Sequence, residues 1–152
     1  MHIGPAAPKR RLDRPGMMKV MHQPDRRERL AAALARDGRR CLWCGREFSD
    51  QVPPTTDHLV PKVKGGPSWL ENEVAACRRC NSERGHRGAA DWLEECERRG
   101  WSPDGRRLQR VLESLATAIN DRGGQRRARP HLNAQLRRLR QRGNVSAAPE
   151  TP

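Results

Sequence analysis

The sequence lacks tyrosine and contains a single phenylalanine, so aromatic residues make up only 3% of its 152 residues. Hydrophobic residues of all types reach 34%, and no run of 18 apolar residues occurs in the chain. We therefore expect no membrane-spanning helix and no membrane partner. An apolar core built from so few residues has to be small, and a small core usually needs a crosslink such as a bound metal ion.

Acidic residues are also scarce relative to basic ones. The chain has 18 Asp and Glu against 31 Lys and Arg, which gives a formal net charge of +13 and a sequence pI near 11.1. Residues 97–152 alone contain 13 arginines and 5 acidic residues, a net charge of +8. This excess of positive charge favours a polyanionic partner, and nucleic acid is the one that we expect.

The cysteines indicate a metal site rather than disulfides. No apolar segment follows the basic residues 9–11, so we expect no secretory signal and a reducing cytoplasm as the compartment. Four of the five cysteines form two Cys-x-x-Cys pairs, which suit the tetrahedral coordination of zinc. The predicted ligands of this structural zinc are Cys41, Cys44, Cys77 and Cys80. Cys96 has no nearby partner and is expected to be a buried free thiol.

Local patterns predict a mixed α+β domain made mostly of helices. Asp25 and Glu28 have the spacing of a capping box, so a helix is expected to begin there. Ser102 followed by Pro103 predicts the start of another helix. The predicted helices cover residues 25–37, 78–86, 89–99 and 103–121, and two antiparallel strands are predicted at Thr55–Leu59 and Glu73–Ala76.

The two ends of the chain differ in composition from its centre. Residues 1–23 combine proline, glycine and scattered charge without periodicity, which predicts a flexible basic arm, either solvated or in contact with phosphates. Residues 24–122 hold the cysteine pairs and most of the predicted elements.

Residues 123–152 are predicted to form an Arg-rich helix and then a disordered tail from about Gly143. The apolar residues of this helix are Leu132, Leu136 and Leu139. They leave two interpretations open. The helix lies against DNA, or it packs on the domain or on a second copy, which keeps a homodimer as an alternative.

An Asp57-His58 dipeptide lies between the cysteine pairs, and Asn81 directly follows the last of them. If the chain bends after the dipeptide, oxygens of Asp57 and Asn81 can reach one hard cation such as Mg²⁺ or Mn²⁺. His58 would then be free to act as a general base, since an imidazole pKa of about 6.5 suits proton abstraction at neutral pH. Neighbouring residues on a strand point to opposite faces, so the dipeptide alone leaves catalysis undecided.

Residues 41–85 combine several motifs in a fixed order: C-L-W-C at 41–44, T-D-H-L-V-P at 56–61, G-G at 65–66, L-E-N at 70–72 and A-C-R-R-C-N-S-E-R-G at 76–85. In this order they resemble an HNH endonuclease of the subgroup whose ββα-metal finger is braced by a four-cysteine zinc. The resemblance implies a bacterial or phage-encoded nuclease domain within residues 24–122, with its motif core at 41–88. The implied fold is α+β, a ββα-metal (His-Me finger) core with a four-cysteine zinc knuckle, flanked by N- and C-terminal helices.

The resemblance also implies a role for each motif residue. His58 is the expected general base that activates a water molecule against the scissile phosphate. Asn72 is expected to tie the loop between the strands and to hold His58 in orientation. Asp57 and Asn81 are the expected ligands of the catalytic ion, Mg²⁺ or Mn²⁺. Many members of the family have a histidine where this chain has Asn81.

Arg84 stands where the family often has a lysine, and it is expected either to contact a phosphate or to lie on a solvated helix face. The other predicted DNA contacts are Lys62, Lys64, Arg78 and Arg79. His86 is expected to be a surface histidine rather than a ligand. Trp43 and Trp69 are expected to pack at the core or its rim, with base stacking as the lesser alternative.

The predicted function is therefore metal-dependent hydrolysis of phosphodiester bonds in duplex or branched DNA. One finger holds one active site, so each encounter is expected to nick one strand. A non-catalytic zinc-ribbon protein that binds nucleic acid is the alternative. It would explain the cysteines and the charge, but it leaves the Asp, His and Asn residues without a role.

Overall fold

The computed structural model describes residues 22–146. The helices are α1 (Arg26–Asp37), α2 (Arg78–Arg84), α3 (Ala89–Arg98), α4 (Gly105–Arg122) and α5 (Ala128–Ser146), and the strands are β1 (Pro54–His58) and β2 (Glu73–Cys77). Short 3₁₀ turns at Lys62–Lys64 and Leu70–Asn72 lie in the connection between the strands. Residues 1–21 of the predicted arm and residues 147–152 of the predicted tail lie outside the described part of the chain.

The two strands pair antiparallel, as predicted, with Thr56 opposite Ala75 and His58 opposite Glu73. Every residue of β2 is buried, because α1 packs on this strand and α2 follows it directly and packs back on both strands. The order β1, β2, α2 is the ββα arrangement that the sequence predicted. The fold is α+β, and it has helices on both sides of this unit in the chain.

Two helix starts show how local hydrogen bonds set the boundaries. Asp25 accepts from the backbone N–H of Glu28 at 2.8 Å, and the Glu28 carboxylate accepts from the N–H of Asp25 at 2.7 Å, so the predicted capping box is confirmed. At α4 the cap is Asp104, which accepts from the N–H of Arg107 at 2.9 Å. The helix therefore starts later than the Ser102-Pro103 pair predicted, because the Asp104 carboxylate supplies the cap instead.

The C-terminal helix packs on the domain. The three leucines of α5 are buried against the main core, and Gln135 on the same helix accepts from the N–H of Ala90 at the start of α3 at 2.8 Å. Of the two interpretations of these leucines, the structure supports packing of the helix on its own domain. The helix continues through Gly143 to Ser146, so the prediction of a disordered tail from Gly143 was wrong for residues 143–146. Among the described residues, none of the helices combines the length and the apolar character that crossing a membrane requires.

Candidate active site

The four paired cysteines meet at one point in the structure. Their sulfur atoms all lie within 4.8 Å of one another, and Cys44 Sγ is 3.9 Å from Cys77 Sγ. A tetrahedral zinc with Zn–S bonds of about 2.3 Å separates its sulfurs by roughly 3.8 Å, which is close to the Cys44–Cys77 distance. The cluster can therefore hold a metal ion such as zinc. One pair comes from a turn after α1, and the other spans the junction of β2 and α2.

Contacts at the cluster favour negative charge on Cys41, whereas contact with Cys41, together with burial, raises the pKa of the Cys80 thiol. A hydrogen bond from Cys80, together with backbone N–H groups, lowers the pKa of the Cys41 thiol to about 5 despite its burial. Arg46 donates to Cys77 Sγ at 3.3 Å, and the thiol groups raise the pKa of its guanidinium. Arg46 was not predicted as part of this site, since nothing in its spacing from Cys44 points to it. Cys96 is buried, as predicted, and burial raises the pKa of its thiol to about 12.

A second polar site opens beside the first. The residues of the Asp57-His58 dipeptide and Asn81 line one pocket of about 290 Å³, together with Arg26 and Arg29 from α1. The remaining lining residues are Thr56, Pro61, Lys62, Gly85 and His86. The ββα unit thus brings the predicted base and both predicted ligands of the catalytic ion together. The α1 arginines were missed, although Arg26, Arg29 and Arg36 share the helix stripe of the buried Ala33.

His58 ends β1 at the edge of this pocket. Its Nε2 atom lies 3.1 Å from Ser68 Oγ and 3.2 Å from Glu73 Oε1, and the side chain is only 16% exposed. Burial, reinforced by the nearby positive charges of Lys62, Arg29, Arg26 and Arg84, lowers the pKa of His58 to about 4. At neutral pH the imidazole is therefore uncharged, which is the form that can accept a proton.

Asp57 is buried, and each of its carboxylate oxygens accepts a hydrogen bond. Arg84 Nη1 donates to Oδ1 at 2.6 Å, and Trp43 Nε1 donates to Oδ2 at 2.8 Å. Burial raises the pKa of the Asp57 carboxyl, and the Arg84 charge opposes that effect. Since a carboxylate oxygen can accept two bonds, each oxygen keeps one further acceptor position. Trp43 is fully buried, which agrees with the prediction of core packing.

Arg84 does not lie on the surface, where its place in the sequence predicted it. Its side chain is buried, and the guanidinium donates to Asp57, to the His58 carbonyl at 2.8 Å and to the Leu59 carbonyl at 2.6 Å. It contacts neither solvent nor a surface that DNA could reach, so the predicted phosphate contact is corrected. The physical reason is that the buried Asp57 needs a paired cation, and Arg84 supplies it from the last turn of α2.

Asn72 and Asn81 take different positions around the dipeptide. Asn72 is fully buried; its Oδ1 accepts from the Val60 N–H at 2.8 Å, and its Nδ2 donates to the carbonyls of Val60 and Pro67. It thereby closes the loop between the strands, where a Cβ on Gly66 would lie only 1.8 Å from the Val60 oxygen. Asn81 Nδ2 donates to the Thr56 carbonyl at 3.1 Å, which leaves its Oδ1 for the pocket.

The other predicted DNA-contacting residues are exposed. They are Lys62, Lys64, Arg78 and Arg79. Lys62 lines the pocket, whereas the guanidinium of Arg79 lies 4.3 Å from the centre of the Trp101 ring. His86 is exposed at the rim of the pocket, as predicted for a surface histidine. Trp69 is half-buried beneath the guanidinium of Arg122.

Part of the chain is similar to known proteins. Residues 41–94 match the family model described as HNH endonuclease. The chain is 29% identical over 94 residues to the CRISPR-associated endonuclease Cas9 of Corynebacterium diphtheriae, a match that covers 60% of this chain and 8% of that protein. It is also similar to the crystal structure of the Type II-C Cas9 enzyme from Actinomyces naeslundii, with a TM-score of 0.44 and 25% identity over 72% of this chain and 11% of that one. The chain thus spans only a small part of the proteins that it matches. Residues 41–94, which include the four paired cysteines and the Asp57-His58 dipeptide, match the HNH endonuclease model, so the resemblance seen in the sequence is confirmed.

Proposed function

We propose that this protein is a metal-dependent endonuclease that hydrolyses phosphodiester bonds of DNA. The observation that carries the proposal is the single pocket lined by His58, Asp57 and Asn81, within the segment that matches the HNH endonuclease family. The sequence relative from Corynebacterium diphtheriae is itself described as an endonuclease, which supports the same reaction class.

His58 acts as the general base in this proposal. Its depressed pKa, about 4, keeps the ring neutral at neutral pH, so it can take a proton from a water molecule that attacks the phosphorus. Asn72 is buried and does not line the pocket. It acts as a positioning residue, because its three hydrogen bonds close the loop that follows His58.

Asp57 and Asn81 would hold the divalent ion, for which Mg²⁺ or Mn²⁺ suits their hard oxygen atoms. Such an ion, when bound, would offset charge that develops on the phosphate and on the leaving oxygen. Asp57 and Asn81 fit this role in part, because their side-chain oxygens keep acceptor positions that no described hydrogen bond occupies. Arg84 already lies on Asp57 Oδ1 and partly neutralises it, so the ion would bind with few protein ligands and keep several waters.

The cysteine cluster has a separate, structural role in the proposal. Zinc bound to its four sulfurs would join the turn after α1 to the junction of β2 and α2, and it would leave no open coordination position for chemistry. Substrate binding would depend on positive charge around the pocket. Lys62 is exposed on its wall, and the formal net charge of +13 favours a polyanion such as duplex or branched DNA.

Plasmid nicking tests the proposal directly. We expect the wild-type protein to relax supercoiled plasmid in the presence of Mg²⁺ or Mn²⁺, and His58→Ala to lower the rate by about 10²–10⁴-fold because the general base is lost. His86→Ala is the matched control, since this histidine lies on the rim of the same pocket and is exposed. It should keep the wild-type rate.

Equal nicking by His58→Ala and the wild type would reject the catalytic assignment. If no divalent ion supports nicking, but the protein binds DNA with a strong dependence on salt, the non-catalytic zinc-ribbon alternative is favoured instead.

A further inference from the structure

Helix α1 lies outside the segment that matches the HNH family, yet its side chains bind Glu73, the residue that lies opposite His58 in the sheet. Arg29 Nε donates to Glu73 Oε2 at 2.8 Å, and Arg36 Nη2 donates to the Glu73 carbonyl at 2.8 Å. Glu73 is therefore fixed through both its side chain and its backbone by the same helix. Its position in β2 is directly across the sheet from His58.

The second oxygen of Glu73 is directed at the His58 ring. Glu73 Oε1 lies 3.2 Å from His58 Nε2, the carboxylate is fully buried, and this oxygen has no hydrogen-bond partner. Ser68 Oγ lies 3.1 Å from the same ring nitrogen. A buried carboxylate oxygen is costly unless something donates to it, and Nε2–H is the nearest donor available with a small rotation of the ring.

Stability alone does not account for this arrangement. Burying an ion pair such as Arg29–Glu73 costs desolvation energy, and apolar residues of the same size often serve a fold as well or better. A charged pair that is held from two sides and ends 3.2 Å from the candidate base indicates a role in the site.

We propose that Glu73 is a positioning residue that selects the tautomer of His58. A neutral imidazole carries its hydrogen on one nitrogen only, and the other nitrogen keeps a lone pair. With a carboxylate 3.2 Å from Nε2, a lone pair on that nitrogen would be repelled, so the hydrogen resides on Nε2. Among the described residues, Nδ1 has no hydrogen-bond partner, and its lone pair is left for a water molecule. The use of Nδ1 as the base rests on the proposed function, whereas the tautomer does not.

Nuclear magnetic resonance of ¹⁵N-labelled wild-type protein tests the tautomer without any activity assay. The nitrogen shifts of His58 should show hydrogen on Nε2 and a lone pair on Nδ1, and a His58→Ala spectrum assigns the signals. In Glu73→Gln the side-chain amide can donate as well as accept, so the tautomer should become mixed or reverse. Glu73→Asp keeps the charge and should keep the Nε2–H form.

Steady-state kinetics tests whether the tautomer of His58 affects the rate of plasmid nicking. Glu73→Gln should lower kcat for plasmid nicking by about 10–100-fold, as for other carboxylates that orient an imidazole, with KM for DNA and zinc content unchanged. Glu73→Asp should recover part of the rate. Glu71→Gln is the control, since Glu71 lies in the turn just before β2 and accepts a hydrogen bond from Arg122 at the surface.

A wild-type spectrum with hydrogen on Nδ1 overturns the inference, even if Glu73→Gln fails to fold. It is equally overturned if Glu73→Gln folds and leaves both tautomer and kcat unchanged. If the wild type shows the Nε2–H form but never nicks DNA, the proposed function fails while the role of Glu73 in tautomer selection stands.

Discussion

The cysteine cluster and the His58 pocket lie on the same ββα unit but are built in opposite ways. The cluster is closed: its four cysteines come from one turn and one strand–helix junction, and three of them are buried. The pocket is open, and its polar groups are held by residues from several elements, namely Trp43, Arg84, Arg29 and Ser68. The cysteine cluster can therefore be specified by local spacing in the sequence. The pocket, by contrast, depends on long-range contacts that hold charged groups in a partly buried environment.

The largest difference between the two sites should appear when a ligand of the closed one is removed. Cys80→Ser should abolish zinc binding and unfold the ββα unit, because the binding free energy of a structural zinc, about 10–16 kcal/mol in small zinc-binding peptides, is largely folding free energy. The measurements are metal content by elemental analysis and thermal melting by circular dichroism.

Cys96→Ser is the matched control for this variant. Cys96 is buried but stands outside the cluster, so the change should leave one zinc per chain. Purified wild-type protein without zinc, or a Cys80→Ser protein that melts like the wild type, would contradict the role of the cluster.

A smaller loss of stability is expected from the pocket. Arg84→Met should lower the free energy of unfolding by about 3–5 kcal/mol, because it leaves Asp57 as a buried charge without a cation and removes donors to two carbonyls. Zinc should stay bound, since Arg84 does not contact the cysteines. Chemical denaturation followed by circular dichroism, with metal analysis, measures both effects.

Arg78→Met in the first turn of the same helix provides the comparison, because Arg78 is exposed. It should change the free energy of unfolding by no more than about 0.5 kcal/mol. If Arg84→Met is as stable as Arg78→Met, the buried ion pair with Asp57 does not hold the pocket together.

The same contrast explains what could be predicted from the sequence. The clustering of the four paired cysteines, the capping box at Asp25 and both strands follow from local patterns, and the structure has them where they were expected. The direction of Arg84 could not be read in this way, because it depends on Asp57, 27 residues earlier in the chain. Glu73 was seen only as a strand residue, since its contacts with Arg29 and His58 arise when α1 folds onto β2.

The smallest expected effect concerns the arginines far from the pocket. In α5, Arg138 pairs with Asp91, and Arg142 donates to both carboxylate oxygens of Glu97 at 2.8 and 2.7 Å. These charges already have partners on α3, so they should release few counterions from DNA. Lys62 is exposed at the pocket wall, and it forms no ion pair with another residue of the described part of the chain.

The dependence of DNA affinity on salt separates these two kinds of charge. Lys62→Gln should make the slope of log affinity against log salt shallower by about 0.9, the value for one phosphate contact. Arg142→Gln should leave that slope unchanged and lower the free energy of unfolding by at most about 1 kcal/mol, since its ion pair is partly exposed. Fluorescence anisotropy with labelled duplex DNA across a salt series measures the slopes. A shallower slope for Arg142→Gln, and not for Lys62→Gln, would mean that DNA lies along α5 and displaces its ion pairs with α3, rather than entering at the pocket.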